Sequence, residues 1–74
     1  MQMEIETPEA YARQTITHAI RTHRHEIWTP QSLASRYGIS AALAGRVLSE
    51  LARAGVAERL EGPDDEYAAA GMDY

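Results

Sequence analysis

The reactive side chains of this 74-residue chain are three histidines, eleven carboxylates, seven arginines and a scatter of hydroxyls. Histidine is the commonest metal ligand, but metal binding needs several donors converging on one point. His23 and His25 project about 200° apart on a helix. No carboxylate or cysteine stands at ligand spacing from them or from His18. The chain has no cysteine and no lysine, no phosphate-cradling glycine loop, and no serine in a nucleophile elbow. Asp64 and Asp65 are adjacent, but Gly62-Pro63 before them marks a turn, so both carboxylates are expected to be solvated. The sequence therefore predicts neither an enzyme nor a bound metal, cofactor or small-molecule ligand.

Charge is left as the chemistry of recognition, and it is unevenly spread. Residues 1–10 carry Glu4, Glu6 and Glu9 and no base. Residues 11–25 carry Arg13, Arg21, Arg24 and all three histidines with no acid. From Glu61 onward come Asp64, Asp65, Glu66 and Asp73, again without a base. The net charge is −4, so the overall basic footprint usual for a dedicated DNA-binding domain is missing.

The elements that place these charges are marked by local signals. Thr7-Pro8-Glu9 combines a cap, a first-turn proline and an acid at the positive end of the dipole. Apolar or small residues then recur at Ala12, Ile16, Ala19 and Ile20, predicting a first helix over about 8–24. Its outer face is Arg13, Thr17, Arg21 and Arg24. Ile27-Trp28 is a short strand fragment with Trp28 as a core aromatic. Thr29-Pro30 opens a second helix with Leu33 and Ala34 inward. It ends near Tyr37-Gly38, where glycine suits a left-handed cap. Ser40 caps a third helix with an inward stripe of Leu43, Ala44, Val47, Leu48 and Leu51, ending at Ala54-Gly55. VAERL, the turn Gly62-Pro63-Asp64-Asp65 and EYAAA, with Tyr67 facing the core, predict a closing hairpin.

Seventy-four residues allow one domain with one modest core. The reading divides it into an N-terminal arm over 1–7, a domain over 8–70 and a fraying tail over 71–74. No apolar run approaches the roughly 20 residues that span a bilayer. The acidic N-terminus does not read as a signal peptide. Without cysteine, the expected compartment is the cytoplasm of a bacterial, archaeal or phage-infected cell.

This order resembles the winged helix-turn-helix family over nearly the whole chain. WTPQSLASRYGIS is similar to the family's short strand, capped helix and G-I-S turn. VLSELARAGVAER is similar to the stretch where the recognition helix ends at glycine and enters the wing. The resemblance implies a mainly α fold, three helices plus a small antiparallel wing. It also implies that helix 3, about 40–54, enters the major groove of duplex DNA. Carried over by position, the groove-facing residues are Ser40, Ala41, Ala42, Gly45, Arg46 and Ser49. Arg46 can grip guanine bidentately, alanines can touch a thymine methyl, and serines can reach phosphate. Gly45 offers no contact and weakens the helix by up to about 1 kcal/mol. Arg36 and Arg53 are expected phosphate contacts. For Arg46 the alternative is a solvated arginine paired with Glu50 at i,i+4.

Two functions follow from the resemblance. One is a small DNA-binding transcriptional regulator, dimeric through the arm Met1 to Thr7 or an exposed side of helix 1. The alternative is an acidic winged helix that binds a basic protein surface through Asp64, Asp65 and Glu66. Such a protein would be similar in size and charge to phage-type inhibitors, including anti-CRISPR proteins and antirepressors, acting on a nucleic-acid-binding target. Three carboxylates at a wing tip repel phosphates, which favours the second; the family's usual ligand favours the first.

Overall fold

The computed structural model describes residues 8–71, which form three helices followed by a two-stranded antiparallel hairpin. Helix α1 spans Pro8–Thr22, α2 Pro30–Tyr37 and α3 Ala41–Arg53; strand β1 spans Ala57–Arg59 and β2 Tyr67–Ala69. The expected arm over 1–7 and the last three residues of the expected tail lie outside the described residues.

The starts of α2 and α3 are set by side chains that satisfy otherwise orphaned backbone groups. Thr29 Oγ1 accepts from the Ser32 N–H and Ser32 Oγ accepts from the Thr29 N–H, each at 3.0 Å, a reciprocal capping box. Gly38, with φ of 70°, turns the chain out of α2, and its N–H donates to Ala34 O. Ser40 Oγ then accepts from the Leu43 N–H at 3.1 Å and starts α3. At the far end of α3, Gly55 adopts a φ of 84°, and the Val56 N–H reaches back to Leu51 O at 2.9 Å.

Helix α1 ends two residues earlier than its periodicity predicts. The chain turns at 23–25, closed by a Glu26 N–H bond to His23 O at 3.1 Å. Threonine and histidine are poor helix formers, and the turn brings Trp28 back across the domain. His23 and His25 therefore both lie off the helix, and the 200° separation expected between them does not describe them. Leu43, expected inward, is half-buried at the rim of the core.

The core joins Ala12, Ile16, Ala19 and Ile20 of α1 to Ala44, Val47, Leu48 and Leu51 of α3, with Trp28, Leu33, Ile39 and Tyr67 between them. Strand β1 pairs antiparallel with β2 in the register Ala57 to Ala69, Glu58 to Ala68 and Arg59 to Tyr67. On its other side β2 meets Trp28, whose N–H and C=O both bond Tyr67 at 2.7 Å. The strand fragment expected at Trp28 is thus a single bridge that makes β2 the middle of three extended segments. Ala68 and Ala69 are both buried, and β2 packs on α1. Burial on both faces overrides alanine's weak strand preference.

Candidate functional site

The third helix shows one continuous outward stripe. Ala42, Arg46, Ser49 and Arg53 recur at helical spacing and all four are exposed. Ser40 is exposed at the start of that stripe, with its hydroxyl oxygen already engaged as the α3 cap. Two neighbouring helices flank it. On one side α2 approaches at Gly45, where an added Cβ would lie 3.5 Å from Pro30 Cγ. Gly45, expected to contribute nothing, is a helix-crossing position off the outward face. Ala41, also carried over as groove-facing, is half-buried.

On the other side α1 runs alongside α3 and the two exchange ion pairs. Arg46 Nη1 lies 4.0 Å from Glu9 Oε2, and Arg13 is hydrogen-bonded to Glu50. The expected i,i+4 pair between Arg46 and Glu50 is therefore replaced by cross-helix pairs. Glu9 and Arg13 are four residues apart on α1, and Arg46 and Glu50 are four apart on α3 in the opposite sign order. Two helices lying side by side can satisfy both pairs at once. That matched spacing is visible in the sequence, and reading each helix alone misses it. The hydrogen bond from Arg13 holds the Glu50 carboxyl below its ordinary pKa, and the charges of Arg13, Arg53 and Arg46 act in the same direction. The same bond raises the Arg13 guanidinium.

Arg36, expected to contact phosphate, is placed elsewhere. Its guanidinium lies 5.1 Å from the Trp28 ring centroid and 5.9 Å from that of Tyr37, with Glu26 Oε1 at 3.4 Å. None of these partners belongs to α3. The cation covers the face of the buried indole and is neutralised at its rim, a packing role.

The hairpin tip carries the other candidate residues. Asp65 Oδ1 accepts from Arg59 Nη2 at 2.8 Å, so one of the three expected tip carboxylates is paired within the hairpin. This bond and the Asp65 charge raise the Arg59 guanidinium. Glu66 is half-buried, and its N–H donates to Asp64 O in the turn. Glu58, Glu61 and Asp64 are exposed with no cationic partner among the described residues. Among the arginines of the described residues, Arg21, Arg24 and Arg53 likewise have no acidic partner. Arg21 and Arg24 line a shallow cleft with Gly55, Val56, Ala69 and Ala70, where the end of α1 meets the hairpin base. Among the described residues, the helical body thus keeps positive charge without an acidic partner, and the hairpin keeps negative charge without a cationic one.

No group of three histidine, aspartate or glutamate side chains converges to hold a metal ion among the described residues. No described helix is long and apolar enough to cross a membrane. The outer side of α1, one of the two expected dimer contacts, presents Tyr11, Gln14 and His18 to solvent; the arm that is the other lies outside the described residues. No known protein family, curated protein or solved structure matches this chain.

Proposed function

We propose that the chain is a winged helix-turn-helix protein that binds duplex DNA through α3, as a small transcriptional regulator. The observation carrying this reading is the exposed α3 stripe, with Arg46 63% exposed in its middle and Arg53, which has no acidic partner among the described residues, at its end. An exposed arginine on an outward helix can reach the O6 and N7 acceptors of guanine, and Arg53 can neutralise a phosphate. Ser40 and Ser49 supply hydroxyls for the backbone, and Ala42 a methyl for thymine. The test is a salt titration of binding to mixed-sequence duplexes. Binding that weakens as salt rises, and loses about five- to a hundredfold in Arg46→Ala, supports the reading. Affinity unchanged in Arg46→Ala sinks it.

A second reading rests on a different observation, the unpaired Glu58, Glu61 and Asp64 of the hairpin. In it the hairpin is an acidic wing that docks on a basic protein surface, so the chain inhibits a nucleic-acid-binding target. Pull-downs with wild type and with Asp64→Lys/Asp65→Lys decide it, because equal partner recovery would remove the wing from the contact. Charge reversal at Asp65 also breaks its bond to Arg59, so Asp64→Lys alone is the cleaner second arm.

A further inference from the structure

Arg46 is exposed but already has an electrostatic partner in α1. The Glu9 carboxylate sits 4.0 Å away and is 45% exposed, on a helix that is not part of the stripe. On α3 itself Glu50 stands one turn along and is held by Arg13. The three arginines of this face, Arg13, Arg46 and Arg53, are thus offset by two carboxylates. A DNA phosphate arriving at the face meets little net positive charge, so counterion release contributes little there. A long, solvent-screened, single-contact pair such as Arg46 with Glu9 is a weak one. A partner offering two aligned acceptors displaces the carboxylate easily.

We infer that Glu9 is a built-in competitor for Arg46, placed by α1 to weaken the hold of any DNA acceptor on that arginine. This inference rests on the DNA-binding reading and adds the residue that tunes it. Any acceptor that engages Arg46, whether a phosphate or a guanine edge, must first displace the Glu9 carboxylate. Glu9 then sets the affinity of α3 through Arg46 without touching DNA itself. Its removal strengthens binding to any duplex that engages Arg46.

The experiment is a four-protein binding cycle with wild type, Glu9→Gln, Arg46→Ala and the double variant. Each is titrated at low salt against a G·C-containing duplex and an A·T-only duplex, with circular dichroism confirming that all four keep their helices. Glu9→Gln is expected to raise affinity for both duplexes by about two- to fivefold, the range of an exposed ion pair. The gain is expected to be no larger for the A·T-only duplex than for the G·C-containing one, and to vanish when Arg46 is alanine. An unchanged affinity in Glu9→Gln, alongside weaker binding by Arg46→Ala, overturns the inference and leaves the DNA reading standing. An equal gain with and without Arg46 overturns it too, because the effect would then be general charge. If none of the four proteins binds either duplex, both the reading and the inference fall.

Discussion

Replacing Gly45 with alanine should make this protein more stable. The glycine lies inside α3 with ordinary helical backbone, since the positive-φ glycines are Gly38, Gly55, Gly62 and Gly71. A helical glycine costs about 1 kcal/mol relative to alanine, through backbone freedom lost on folding. Steric conflict is the only term that could cancel this gain. The new Cβ would stand 3.5 Å from Pro30 Cγ and 3.8 Å from Pro30 Cβ, which are normal contact distances that add weak attraction. The expected gain is therefore about 1 kcal/mol, or a Tm raised by about 4–8 °C for a domain of this size. Thermal melts followed by circular dichroism would read it. Urea titrations should show a higher midpoint with an unchanged slope, since the surface exposed on unfolding barely changes. A lowered Tm would refute the reasoning, because it would mean that α2 and α3 approach more closely than contact. Gly55→Ala is the matched control. It makes the same chemical change at a φ of 84°, where a side chain costs about 1–2 kcal/mol, so its Tm must fall.

Three further outcomes follow from the packing and capping. The folded Glu50 carboxyl is held below its ordinary pKa, first by the hydrogen bond from Arg13. The resulting stability is in place above the unfolded glutamate value of about 4.3 and is lost as pH falls below it. Tm measured against pH should therefore drop less on the acid side in Glu50→Gln than in wild type. Trp28→Ala should cost about 3–5 kcal/mol in urea and leave the domain largely unfolded. Trp28→Phe should be much milder, because the buried indole N–H has no hydrogen-bond partner and its removal offsets part of the lost area. Thr29→Ala removes one arm of the capping box and should cost about 1 kcal/mol by the same assay.

The parts of the fold legible in the sequence are those fixed within a few residues. Thr29-Pro30, Gly38 and Ser40 announce the boundaries of α2 and α3 because capping is a contact between near neighbours. The buried stripes of α1 and α3 follow from period alone. What the sequence hides depends on which elements become neighbours. Arg46 has an acid four residues along its own helix, yet pairs with Glu9, because α1 lies beside α3. Arg36 reads as a free surface cation until α2 is seen to bring it over Trp28. The alanines of β2 look like helix until the strand is found covered by α1. The acidic hairpin tip was legible as composition, while the partial neutralisation of Asp65 by Arg59 was not, since it needs the hairpin register.

The bridge between Trp28 and Tyr67 also bears on the order in which the chain assembles. It joins positions 39 residues apart, so its closure carries a loop-entropy cost that the capped turn between α2 and α3 does not. Local contacts form first where topology allows, so the helical pair should precede the middle strand. The single tryptophan belongs to the late-forming contact. Its fluorescence thus reports both the packing of α2 side chains on the indole and the closing of the hairpin, while far-ultraviolet dichroism reports the helices.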